Sequence, residues 1–379
     1  MPRQRVSVFA VEDTAAQACW FGLPEGSVLE AGDARVDVGH NGGGGMGAVS
    51  LDGLPPDTPV DLTLRTPGGS RHRAGRFRTL APPPGRLLGR FATVNDIHIG
   101  ERAFGLLRTL KRPAAGLAQS YPVLCARSAL DEARAWGAQA VVAKGDLTYH
   151  GRSAEWEEVG GLLGGLPVPV DAVFGNHDVA RRAVDGRAAL AAHGLVVPHH
   201  PFSRDLPGIR VVLAHSEMRG HSGGRMTRAQ RTRVAELLEE AQRPAFLVLH
   251  HYLQRHRMPT IYPRGIRGDE ARALLNAVIA ANPATMVSTG HSHRNRRRAH
   301  GPVVITEIGA TMHYPGVWAG YAVHEGGIRQ VVRRVAAPEA MEWTERTRRV
   351  LLGLWGLWTP GLRADRCFSH SWPKPSPFP

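Results

Sequence analysis

From Leu87 onward, short apolar runs alternate with stretches in which apolar residues recur every three or four positions. The runs Leu88–Val94, Ala138–Ala143, Val168–Phe174, Val211–Ala214, Ala245–Leu249, Thr285–Ser288 and Val303–Glu307 read as strands. Between them, Val123–Trp136, Ala154–Leu163, Arg228–Gln242 and Glu270–Ala281 carry a helical period. Alternation of this kind predicts an α/β domain whose sheet strands are covered by helices. Residues 1–82 read differently. Runs such as Val6–Ala10 and Val60–Leu64 alternate with period two between turns at Pro55-Pro56-Asp57 and Pro67-Gly68-Gly69, which predicts a small all-β domain. Pro82-Pro83-Pro84-Gly85 makes a stiff linker into a second domain over residues 86–335. After residue 336 the pattern dissolves. Residues 336–379 are expected as a helix followed by a disordered, Pro-rich tail (Pro373, Pro375, Pro377, Pro379).

The corner Gly53-Leu54-Pro55-Pro56-Asp57-Thr58, followed by a strand, resembles that of fibronectin type III domains. Trp20 is then the expected core tryptophan of a sandwich. Val60 stands where that family usually has a corner tyrosine. Hydrophobic content of 42% with 21% charged residues suits a globular protein with buried cores. Cys19, Cys125 and Cys367 form no C-x-x-C pair, which fits a reducing compartment and argues against thiolate zinc. No signal-peptide core precedes Cys19. The most apolar stretch elsewhere, Val350–Trp358, is far too short to span a bilayer, so the expectation is a cytoplasmic protein without a membrane partner. The net charge of +14 is unusual and almost all arginine; spread along the whole chain, it leaves nucleic acid a possible but not a favoured partner.

In α/β sheets the ligand site lies beyond the carboxyl ends of the strands, so the residues that follow each strand carry the chemistry. Here they are Asn95-Asp96-Ile97-His98, Lys144-Gly145-Asp146, Gly175-Asn176-His177-Asp178, His250-His251 and Gly290-His291-Ser292-His293. A lone aspartate after a strand is usually a cap or turn residue, and a lone histidine usually a hydrogen-bonded loop residue. Five such sites in series are another matter. So many buried ionisable groups need a counter-charge, and Asp oxygen with His nitrogen suits Mn, Fe or Zn.

This ordered series resembles the calcineurin-like metallophosphoesterase superfamily, whose blocks are D-x-H, G-D, G-N-H-D/E, a strand-end H and G-H-x-H. It is most similar to the branch of purple acid phosphatases and class III cyclic nucleotide phosphodiesterases. The resemblance covers roughly residues 87–335 and implies a β-sandwich core flanked by helices. It implies two divalent or trivalent ions. Asp96, His98 and His293 would hold the first, Asn176, His250 and His291 the second, and Asp146 would bridge them. It also implies phosphoester hydrolysis by a hydroxide shared between the ions, with His177 contacting the phosphoryl or leaving-group oxygen and Asp178 orienting His177. Tyr149 lies three residues beyond Asp146, the position associated with the ferric tyrosinate of purple acid phosphatases, which leaves a mixed-valence pair open.

The likeness does not fix the pocket wall. His251 is expected as a wall residue or a partner behind the ligands; His215, Glu217 and His221 follow another strand and are candidates for the pocket lining, with solvated loop residues the favoured reading. Arg294 and Arg296 are either clamps for a second phosphate or a solvated face. Asn176, His177, His251 and Arg294 are the substrate-contact candidates; Arg102 and the loop Gly100–Tyr121 overhang the same strand ends. The expected function is hydrolysis of phosphodiesters or phosphomonoesters of small molecules, cyclic nucleotides included. The alternatives are a nuclease using the same site and a non-catalytic binding module with a vestigial centre.

Overall fold

Two six-stranded sheets lie face to face, and the apolar runs of the sequence supply their inner surfaces. The computed structural model describes residues 5–38, 45–105, 110–111, 119–256 and 263–373. In the first sheet Val141–Lys144 runs parallel to both Leu87–Val94 and Val170–Val173. Three antiparallel strands, Val317–His324, Gly327–Arg334 and Phe368–Ser371, then extend it beyond Leu87–Val94. In the second, Ile209–Leu213, Ala245–Val248, Thr285–Thr289 and Val303–Glu307 are mutually parallel, with antiparallel edges Phe202–Leu206 and Arg296–His300. The inner faces meet through Phe91, Phe246 and Tyr321, whose ring centroids lie 4.6–5.0 Å apart. Such aromatic pairs each add about 0.5–1.5 kcal/mol beyond area burial.

Helices cover both outer faces, because the alternate residues of each buried strand need an apolar cover there too. Tyr121–Ala135 and Ser153–Gly164 pack Ala126, Leu130, Trp156 and Val159 against the first sheet. Arg228–Glu239 and Gly268–Ala281 pack Val234, Leu238, Leu274 and Val278 against the second. The helix Arg228–Glu239 begins on a capping box, where Thr227 accepts from the Gln230 amide. Among the described residues no helix is long and apolar enough to cross a membrane.

The N-terminal strands form a separate sandwich, a three-stranded sheet against a four-stranded one, with Trp20, Leu29, Leu62 and Val60 in its core. Trp20 lies flat over Gly47, where any Cβ would stand 2.1 Å from the indole. This domain is bolted to the larger one. The Glu12 carboxylate accepts from Arg329, Arg333 and Trp136 at 2.6–3.0 Å, and Gln17 pairs with the Arg334 backbone at both its amide atoms.

The C-terminal segment begins with the expected helix but is ordered further along than expected. Pro338–Thr347 buries Ala340, Met341 and Trp343, and Phe368–Ser371 closes the edge of the first sheet beside Gly327–Arg334. A four-residue strand carries too little pattern to be seen from sequence; long-range pairing makes it. Residues 374–379 lie outside the described residues, as do 106–109 and 112–118 of the expected Gly100–Tyr121 overhang.

Candidate metal centre

Three strands of the first sheet and two of the second end at one place, and all five singled-out loops meet there. Their backbone is unusual. Asp96, His98, Asp146, His291 and His293 all have φ between 49° and 66°, the left-handed region that costs a residue with a Cβ about 1 kcal/mol or more. They are five of the nine described non-glycine residues in that region, so the strain is concentrated at this centre. Glycine permits the approach. A Cβ at Gly175 would stand 2.2 Å from the Asp146 carboxylate, and one at Gly145 2.7 Å from the His250 ring.

Two groups of donors share one carboxylate. In the first, His98 Nε2 and His293 Nε2 point at each other across 3.3 Å, with Asp96 Oδ1 3.2 Å from His293 and 4.0 Å from His98. In the second, nitrogens of His250, His251 and His291 lie within 4.8 Å of one another. Asp146 joins the two: its Oδ2 is 3.3 Å from His250 Nε2 and 4.0 Å from His98 Nε2. Carbonyl groups fix the ring tautomers, since an oxygen that only accepts obliges the nitrogen facing it to donate. His250 Nδ1 donates to the Lys144 carbonyl at 2.8 Å, and His291 Nε2 to the Arg264 carbonyl at 3.1 Å. The lone pair of His250 is thereby left on Nε2, beside Asp146, and that of His291 on Nδ1.

Electrostatics keep three of these imidazoles, those of His98, His251 and His291, available as lone-pair donors. His250, although burial disfavours its charge, is raised to about 9 by the Asp146 carboxylate beside it and must give up a proton to bind a cation. Burial, helped by the nearby charge of His177, pushes His98 down to about 3; burial and His250 do the same to His291. Burial also holds His251 well below the usual histidine range, with His291 and His250 adding to it. For Asp96 burial acts the other way, but the charge of the neighbouring His293 outweighs it and holds the carboxyl below the usual range. Asp96 Oδ1, Asn176 Oδ1, His250 Nε2 and His251 Nε2 are buried without a hydrogen-bond partner. Polar atoms orphaned in this way are costly unless something else satisfies them. Oxygen and imidazole donors gathered around two centres fit a pair of borderline cations.

The model of the calcineurin-like phosphoesterase family matches residues 89–295, more than half of the sequence. The chain belongs to the calcineurin-like phosphoesterase family. As a family member it is a metal-dependent phosphoesterase, a hydrolase, and its histidine and aspartate clusters fit the dinuclear site that the family implies. Three solved structures are similar to it. One is that of PhoD, at 10% identity and TM-score 0.43, covering 87% of this chain and 86% of that one. Another is purple acid phosphatase PPD1 from yellow lupin (Lupinus luteus) seeds, at 11% and 0.43, covering 88% and 72%. The third is GAP50, the anchor in the inner membrane complex of Plasmodium, at 12% and 0.46, covering 68% and 87%. No curated protein matches the chain.

Around this phosphoesterase centre several expectations need correcting. Asp178 does not orient His177. The His177 Nδ1 instead donates to the Tyr149 carbonyl at 2.8 Å. Asp178 is buried and accepts from the Gly175, Leu147 and Thr148 amides and from the Thr148 hydroxyl. Burial and the charge of Asp146 raise its carboxyl to about 7. It therefore organises the two loops that carry Asp146 and Asn176. Replacing Asp178 by alanine strands three buried amides and is expected to cost about 3 kcal/mol of stability, read by urea denaturation.

His215 and Glu217 are not solvated: they pair at 3.4 Å with both side chains nearly buried, and His215 also bonds the Pro198 carbonyl. His221 is exposed, as expected. Arg294 and Arg296 are held by Glu307, and Arg294 lies over Trp358, so neither is a bare solvated face. Arg296 belongs to the edge strand Arg296–His300. Arg102 is exposed. The Tyr149 ring stacks on His177 with centroids 5.2 Å apart.

Two groups went unnoticed in the sequence. His313 Nδ1 meets His293 Nδ1 at 3.1 Å, and its Nε2 lies 3.2 Å from Glu101. A carboxylate–imidazole chain thus backs His293 from residues that follow no strand directly.

Proposed function

We propose that the centre hydrolyses phosphate esters of small molecules, with Asp96, His98 and His293 on one cation, Asn176, His250 and His291 on the other, and Asp146 on both. What carries this reading is the position of Asp146 Oδ2, between His98 of one cluster and His250 of the other. A bound cation pair supplies Lewis acidity toward the phosphoryl oxygens and lowers the pKa of water between them. The chain does the rest. Asp146 Oδ1 accepts from the His177 amide at 2.8 Å, which fixes His177 at the rim of the two clusters. Burial works against a charged His177 ring, but Asp146 and the Tyr149 carbonyl prevail and raise its pKa. A ring whose Nδ1 is held by a carbonyl has Nε2 left to donate to a phosphoryl or leaving-group oxygen.

The reading extends to phosphodiesters as well as monoesters. It also takes the N-terminal sandwich as a fibronectin III-like domain, the catalytic domain as residues 86–335, and residues 336–373 as part of its fold. His251, with a partnerless Nε2 beside His250 and His291, is assigned to the substrate side of the second cation. Turnover of bis-p-nitrophenyl phosphate tests the proposal. Chelation is expected to abolish it and Mn²⁺ to restore it; turnover that survives exhaustive chelation contradicts the reading.

A further inference from the structure

The segment Leu351–Leu362 stands beside the centre with its apolar side chains turned to solvent. Leu352 is fully exposed (103%), Leu357 79%, Leu362 73% and Leu354 62%. Leu351 and Leu352 adopt left-handed backbone at φ 54° and 55°, which is strained for leucine. Soluble surfaces carry single exposed leucines routinely, but five within one twelve-residue segment, a ridge along the chain, mark a contact. On its inner side, the same segment walls a cavity of about 270 Å³ lined by Leu354, Trp355, Trp358, Pro263, His291 and His293. Trp355 lies 5.9 Å from the His293 ring. One short segment therefore presents apolar surface outward and an apolar wall to the His291–His293 side of the centre.

The charge around the ridge says what would cover it. Arg349 and Arg363 flank it and are exposed, as is Arg255 on the neighbouring loop, in a chain of net charge +14. Leucine and tryptophan edged by arginine suit the headgroup boundary of an anionic lipid surface, where each basic residue strengthens binding about fivefold. A stretch too short to cross a bilayer is long enough to lie on one.

We propose that Leu351–Leu362 seats the protein on an anionic lipid surface and that lipid phosphoesters are substrates of the adjoining centre, with their apolar portion against Trp355 and Leu354. The substrate half rests on the phosphoesterase reading above. In the step, the oxygen of water bonds to phosphorus and the P–O bond to the lipid alcohol breaks. One proton of the water ends on that alcohol and the other passes to solvent.

The test is sedimentation of the Mn²⁺-loaded protein with vesicles of phosphatidylcholine alone, or mixed with phosphatidylglycerol and phosphatidic acid. Release of phosphate or glycerol phosphate is followed in the same tubes. Wild type is expected to bind the anionic vesicles and release headgroups. The exposed-site variant Leu352→Asp/Leu357→Asp is expected to lose about a hundredfold in binding. Its turnover of soluble bis-p-nitrophenyl phosphate should be unchanged. The surface assignment is overturned if wild type ignores anionic vesicles or if the variant binds as well. It is equally overturned if gel filtration shows a wild-type dimer that the variant dissolves, since a second copy would then cover the ridge. Binding without headgroup release, with the soluble ester still turned over, overturns the lipid substrate. Loss of turnover on the soluble ester too would instead be a failure of the phosphoesterase reading, and the vesicle result would stand by itself.

Discussion

Asp146→Asn is expected to leave the protein folded but holding no more than one metal equivalent, with turnover of bis-p-nitrophenyl phosphate lowered at least about a thousandfold. The asparagine keeps the shape of the side chain and its acceptor toward the His177 amide, now 2.8 Å away. What it removes is the negative charge at Oδ2, the atom between His250 and His98. Two like cations a few ångströms apart repel strongly, and a shared carboxylate is the group that offsets this. Elemental analysis of the purified variant checks the stoichiometry. A variant that keeps two equivalents and full turnover would show that Asp146 does not bridge.

The second large effect separates catalysis from metal holding. His177→Ala is expected to lose about 10²–10⁴-fold in turnover with metal content unchanged. The reason is geometric. The His177 ring is carried by the Tyr149 carbonyl and stacked on the Tyr149 ring rather than held by the carboxylates. Removing it takes away a donor to the substrate without opening either cluster. Should the variant lose metal instead, His177 would be a ligand. Its nitrogen does lie within 4.8 Å of donor atoms of His98 and Asp146, so the alternative is concrete.

Much of the centre was legible because its chemistry directly follows apolar runs. Asp96, Asp146, Asn176, His250 and His291 each lie within a few residues of a strand end, and parallel strands bring those ends to one edge of each sheet. The roles behind the ligands were not legible. Asp178 neighbours His177 in sequence, yet the turn sends its carboxylate back into the loop amides. The Glu101–His313–His293 chain joins three separate loops, and no local pattern announces such a contact. His215 and Glu217 read as polar loop residues because each alone prefers water; together they satisfy one another in the interior. In the fold, the buried strand Val317–His324 was missed. Its interior Gly320, where Trp136 packs against the backbone, breaks the apolar run that would have marked it.

Anomalous diffraction from crystals of the Mn²⁺-loaded protein is the most direct test of the paired-cation centre. Two peaks about 3.5–4 Å apart are expected. One should touch Asp96, His98 and His293, the other Asn176, His250 and His291, with Asp146 reaching both. A single peak, or peaks away from Asp146, would contradict it.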